Sequence, residues 1–280
     1  MSLLTLWLWP LIALVVLPAA LVYFGLHVVG RGIIFVDLAL AQIAALGIAT
    51  AVLMGADAEH GTLPQVLAVA FTIAGAALFS LTRFRHPRVP HEAIIGIVYV
   101  AASAAAILVA DKAPRGAEAL HDVLEGSIIW ITWPTIIKKG AAYAALGLIH
   151  FLLRKQFLKI SFHPDEAERE GWHIRAWDFL FYVSFGVAVT MSVPVAGVLL
   201  VFTMLVVPAV VAFLFSRDIK KMVLISWGTG ALASLLGLYI SYVGNFPTGP
   251  LIVCMYALVL LGAGLLRKFG FGDNGATPNP

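Results

Sequence analysis

The sequence predicts an all-α, polytopic membrane bundle of eight or nine transmembrane helices, and two observations carry that prediction. First, 61% of the 280 residues are hydrophobic and only 12% are charged, about half the charged share of a soluble domain. Second, apolar runs of membrane-crossing length recur from end to end, at 4–26, 33–55, 63–82, 91–110, 139–160, 176–191, 194–214, 222–243 and 249–266. About twenty residues at 1.5 Å each cross a hydrocarbon core of roughly 30 Å. Lipid offers no hydrogen-bond partners, so each run must satisfy its own backbone as a helix.

The first run has small residues near Leu17-Pro18-Ala19-Ala20. It lacks a positive flank before it and is too long for a signal peptide, so it reads as a retained span. In the second run, Ala39, Ala41, Ala44, Ala45 and Gly47 permit close helix approach; Ala74 to Ala77 do so in the third, and Gly228, Gly230 and Gly237 in the eighth. The sixth and seventh runs meet at Met191-Ser192-Val193-Pro194, where proline makes either a tight turn or a kink in one long path. Residues 1–269 form one transmembrane domain, and the turn-rich end, 270–280, reads as a flexible cytoplasmic tail.

Charge orients the spans. With the N-terminus outside and nine crossings, the inner segments hold fourteen of the 18 Lys and Arg: Arg31; Arg83, Arg85, Arg88; Arg154, Lys155, Lys159, Arg169, Arg175; Arg217, Lys220, Lys221; Arg267 and Lys268. Lys112, Arg115, Lys138 and Lys139 remain outside. This is the positive-inside pattern, and it places the C-terminus in the cytoplasm. The net charge of +3 arises from these inner segments and implies no nucleic-acid partner. The lone Cys254 excludes an internal disulfide.

Enzymatic signatures are missing. No HExxH or GxSxG occurs, and no Gly-Lys pair exists for a nucleotide-binding P-loop. Any ATP-driven work therefore belongs to another chain. The eight histidines are scattered; His27 and His150 lie nearest to helix interiors and are unpaired by spacing.

Polar groups at membrane depth are few. Asp37 and Gln42 share the second run, and a carboxylate there costs several kcal/mol unless it faces a cavity or a partner. Asp37 either lines a pathway or pairs with Arg31 near the inner interface. Gln42 is either pathway or interhelical glue. Asn245 in GNFPTGP has turn chemistry as its plainer reading. In PAVVAFLFSRDIKKM, 208–222, Pro208 is expected to break the helix path before a short basic piece bearing Ser216, Arg217, Asp218 and Lys220. That piece either sets topology or docks a cytoplasmic partner.

Four stretches, in order, resemble the permease subunit of the ABC importers for zinc, manganese and iron. They are HEAIIGIVY at 91–99, SFHPDEAEREGW at 161–172, VPVAGVLLVFTMLVVPAVVAFLFSRDIKKM at 193–222 and LLGLYISYVGNFPTGPLIV at 235–253. The resemblance implies a bundle of eight or nine helices in a bacterial plasma membrane. It also implies a second permease copy as a homodimer partner, a cytoplasmic ABC ATPase dimer that holds ATP and Mg, and an extracytoplasmic solute-binding protein. No cofactor is expected on this chain, which is not itself an enzyme. Residues 208–222 become the ATPase-coupling segment, with Pro208, Ser216, Arg217, Asp218 and Lys220 as its candidates.

The departures concern the substrate pathway, whose candidates are Asp37, Gln42 and Asn245. The family's Gly-Asp-Ala-x-Ser-His-Ala aligns with Leu38 at its Asp and Gln42 at its His. Asp37 falls at the glycine, about 100° around the helix from the usual carboxylate. Asn245 replaces the Asp before PTGP. Neutral carbonyl oxygens select Zn²⁺ from water poorly, which leaves Asp37 as the one weak metal candidate. Such a lining suits a chelated metal or small organic ligand, while the resemblance favours a divalent ion. A secondary transporter or channel acting without an ATPase is the reading from a different class.

Overall fold

The computed structural model describes residues 3–57, 61–83, 89–114, 116–126 and 128–269. Arg85, Arg88, Arg115 and the tail 270–280 lie outside them. The chain forms α1 (Leu3–Gly30), α2 (Val36–Leu53), α3 (Thr62–Leu81), α4 (His91–Lys112), α5 (Gly116–Glu125), a 3-10 turn at Ile128–Trp130, and α6 (Trp133–Leu152). Then come α7 (Arg154–Phe162), α8 (Pro164–Arg169), α9 (Ile174–Ala196), α10 (Val198–Phe215), α11 (Ile219–Gly244) and α12 (Thr248–Lys268). The described residues contain no strand.

Two helix groups make the bundle. In one, α2 packs against α3, α4 and α9; in the other, α10, α11 and α12 pack on one another, with α1 against α10 and α11. The α6 helix lies against α1 and α9. Small side chains decide which helix takes the middle: Ala39, Ala41, Ala44, Ala45 and Gly47 are all buried in α2. A Cβ on Gly47 would sit 2.7 Å from the Leu67 carbonyl oxygen, so α3 can approach only because glycine is there.

Eight helices are long and apolar enough to cross a membrane by themselves, and α6 with α7 adds a pair bent by 74°. Side-chain contacts establish that α6 crosses too. Arg31, after α1, and Arg83, after α3, both bond Asp178 near the start of α9. The start of α9 therefore shares a face with those two turns. The chain has reached the opposite face by Gly126, where an added Cβ would fall 2.2 Å from the Gly197 nitrogen beyond the far end of α9. The chain must return between Gly126 and Ile174, and α6 makes that passage alongside α1. Trp9 stacks on Trp133 with centroids 4.9 Å apart, and further along Tyr23 meets His150 at 5.5 Å. The described residues thus make nine crossings.

Three expectations are corrected. The fifth run, 139–160, is no single span: α6 ends at Leu152, and α7 turns away carrying Arg154, Lys155 and Lys159. The break between the sixth and seventh runs is not at Pro194, which is accommodated in the last turns of α9. It falls at Gly197, whose φ of 79° is readily reached without a Cβ. Pro208 does not interrupt its helix either. It is buried inside α10, which runs on to Phe215.

Candidate functional site

The predicted pathway residues do not converge. Asp37 occupies the first turn of α2 and is 2% exposed; its Oδ1 accepts the Leu38 N–H at 2.7 Å. Glu92, at the start of α4, accepts the Phe35 N–H at 2.9 Å, so two carboxyl groups lie near the same end of α2. Gln42 is also buried, at 5% exposure. Five residues of helix place it about 140° around α2 from Asp37, so the two serve different faces. Between α3 and α9, the Thr72 and Thr190 hydroxyls meet at 3.0 Å, and Thr72 also donates to the Ala68 carbonyl.

Asn245 stands apart at the α11–α12 turn. It is exposed in the left-handed region, with φ 55° and ψ 38°, and its N–H caps α11 by donating to the Ser241 carbonyl. Asparagine is among the few residues that accept this conformation readily. The geometry here is turn chemistry. Among the described residues, no group of three or more His, Cys, Asp and Glu side chains is arranged to hold a metal ion.

Arg31 does not pair with Asp37. Its Nη1 bonds Asp178 Oδ1 at 2.7 Å, its Nε donates to Ser161 Oγ at 2.8 Å, and its guanidinium lies 3.9 Å from the centre of the Phe181 ring. Arg83 takes the other oxygen, Oδ2, at 2.5 Å. One fully buried carboxylate thereby ties the ends of α1, α3 and α9 together, with Ser161 adding α7. Burial lowers the Arg31 pKa, the Asp178 carboxylate opposes that shift, and the guanidinium stays charged.

The histidines that spacing left unpaired belong to the same cluster. His27 Nδ1 lies 2.7 Å from Ser161 Oγ, and His150 Nε2 lies 2.8 Å from Ser184 Oγ. Tyr23 contacts both rings, and Phe157 stacks on His150 at 4.2 Å. Sequence reasoning noticed His27 and His150 singly. Arg31 and Asp178 are 147 positions apart, and only the packing of α1 against α9 joins them.

The segment carrying the coupling candidates is a turn, with no separate helix. Ser216 is extended and buried, and its Oγ accepts the Asp218 N–H at 3.1 Å. Asp218 then caps α11 by accepting the Lys221 N–H at 2.9 Å, the ordinary work of an N-cap carboxylate. Arg217, Asp218, Lys220 and Lys221 are all exposed. Beneath them, Leu26, Ala209, Ala212 and Met222 form a small apolar cluster. Phe213 meets Phe162 at 6.3 Å, which sets the turn beside α7. The turn therefore lies on the same face as Arg31, Arg83 and the start of α9. Pro208 is more than a helix turn away inside α10, where its carbonyl accepts Ser226 Oγ at 3.0 Å.

Comparison with known proteins agrees with this architecture. The sequence model of the ABC 3 transport family matches residues 4–267. The manganese import system permease protein ScaB of Streptococcus gordonii is 30% identical over 225 residues, 75% of this chain and 79% of that protein. The manganese transport system membrane protein MntC of Listeria innocua is 27% identical over 223 residues, 74% of this chain and 78% of that protein. Among solved structures, PsaBC from Streptococcus pneumoniae in complex with Fab shares the fold at a TM-score of 0.76 and 24% identity, over 92% of this chain and 90% of that one. An inward-facing metal-chelate type ABC transporter superposes at 0.71 with 18% identity, over 93% of this chain and 85% of that one. This multi-pass membrane chain belongs to the ABC 3 transport family.

Proposed function

We propose that the chain is the transmembrane subunit of an ATP-driven importer and provides the pathway for a divalent metal ion, manganese- or zinc-like. The family match across residues 4–267 carries this reading, and relatives named as manganese permeases supply the substrate class. In this reading the ion arrives from an extracytoplasmic binding protein and passes between two copies of the permease. A cytoplasmic ATPase dimer holds ATP and Mg and docks at the 216–221 turn. The N-terminus is outside and the C-terminus in the cytoplasm, because fourteen of the 18 Lys and Arg then fall inside.

The turn suits docking for a physical reason. It presents Arg217 and Asp218 to solvent on a cap that is already formed, so binding there orders little new backbone. Reversing both charges, Arg217→Glu with Asp218→Lys, is expected to abolish transport by the reconstituted permease and ATPase while the permease still elutes as a folded protein. Co-purification and transport at wild-type levels in that variant would remove the coupling role.

A second reading rests on one observation: Leu38 and Gln42 stand where the family carries its Asp and His. A pathway lined by neutral groups suits a chelated metal or small organic ligand. Gln42→His is expected to shift selectivity toward the free ion without disturbing assembly; unchanged uptake of every metal and chelate tried would put Gln42 outside the pathway.

A further inference from the structure

A cavity of about 820 Å³ opens between α1, α6, α7 and α11 in the half of the bundle nearest the coupling turn. Its walls are aliphatic and aromatic, from Val16 through Phe24 on α1 and from Tyr143 through Phe151 on α6. Its charged lining residues are Arg154 and Lys220, both exposed, and no described lining residue is acidic. Arg154 begins α7 just past the end of α6, and Lys220 lies in the first turn of α11, so the two cations share one end of the space. Two polar groups in the wall lack partners: the Tyr23 hydroxyl and His150 Nδ1 are both buried without a hydrogen bond. His150 is itself 2% exposed. At Gly147 an added Cβ would meet nothing within 4 Å, which leaves the middle of the α6 wall open.

An apolar slot that ends in two cations at the membrane surface has the chemistry of an acyl chain joined to a phosphate. We propose that this groove holds an anionic phospholipid. Its phosphate lies between Arg154 and Lys220, and one acyl chain runs along α1 between α6 and α11. Zwitterionic lipids offer the same chain but cancel the phosphate charge with their own amine, so the two cations confer a preference for phosphatidylglycerol over phosphatidylcholine. Each basic side chain at a membrane surface gives roughly fivefold in affinity for anionic lipid.

Native mass spectrometry of the full chain, exchanged into defined mixtures of phosphatidylglycerol and phosphatidylcholine, tests the proposal without reading transport. The wild-type chain is expected to retain phosphatidylglycerol preferentially. Arg154→Ser is expected to lower that preference by about fivefold while phosphatidylcholine is still retained. Gly147→Phe, which fills the chain slot where space exists, is expected to reduce retention of both lipids. Equal retention of the two lipids by the wild-type chain would overturn the proposal. So would retention unchanged in both variants, or disulfide cross-linking of a Gly147→Cys variant to a second permease copy in lipid.

Discussion

The two helix groups are held together by different chemistry. The group around α2 is fixed by shape and charge: α3 reaches the α2 backbone at Gly47, and the Asp178 carboxylate of α9 binds Arg83 after α3, while its other oxygen binds Arg31 after α1 and so ties this group to the other. The group of α10, α11 and α12 also packs closely, an added Cβ on Gly237 falling 2.8 Å from the Ile252 Cα, but it is joined by neutral hydroxyls without, among the described residues, an ion pair of that kind. Ser226 bonds the Pro208 carbonyl, Tyr256 donates to the Gly230 carbonyl at 3.0 Å and meets Ser234 at 2.9 Å, and Ser241 meets Thr248 at 2.8 Å. Burial does not separate them: it runs from 72% in α2 to 22% in α4 in the first group, and from 61% in α10 to 17% in α12 in the second. Hydroxyl bonds inside membranes average about 0.6 kcal/mol, whereas removing one partner of a buried ion pair costs about 3–5 kcal/mol. The polar contacts inside the second group are therefore the cheaper ones to lose, and that group bears the coupling turn.

The largest effect is expected where backbone meets backbone. Gly47→Val should abolish recovery of folded protein by size exclusion, because its Cβ collides with the Leu67 carbonyl. Gly262→Val on α12, where a Cβ meets nothing within 4 Å, should leave recovery unchanged. Equal behaviour of the two would erase the contrast. Asp178→Asn comes next. It leaves the buried Arg31 and the part-exposed Arg83 facing a neutral amide, and a stability loss of about 3–5 kcal/mol is expected in denaturant titrations of the purified protein. The smallest effect belongs to Tyr256→Phe, which deletes one hydroxyl with its two bonds and should cost about 1 kcal/mol in the same titration. A Tyr256→Phe loss as large as that of Asp178→Asn would show that the second group is braced as firmly as the first.

The crossings were legible in the sequence because lipid requires helices that are apolar and long. The buried position of α2 was legible as well, through Ala39, Ala41, Ala44, Ala45 and Gly47. What stayed hidden were contacts that depend on tertiary pairing. Arg31 had Asp37 as its nearest carboxylate in sequence, yet the fold gives it Asp178. Proline at 194 and 208 suggested breaks, but packed helices tolerate a lost backbone bond when neighbours surround it. The actual break, Gly197, was one glycine among 25. Asn245 carried two readings, pathway residue and turn chemistry, and its left-handed backbone fits the second.

The junction between α10 and α11 takes only residues 216–218. With Asp218 fastened to the next turn and Ser226 clasped to Pro208, the two helices leave that corner as a stiff hairpin. The 26 residues of α11 span about 39 Å. A tilt of about 5° at the corner would carry the far tip of a rod that long roughly 3 Å sideways, a lever fit to reshape the opposite side of the membrane.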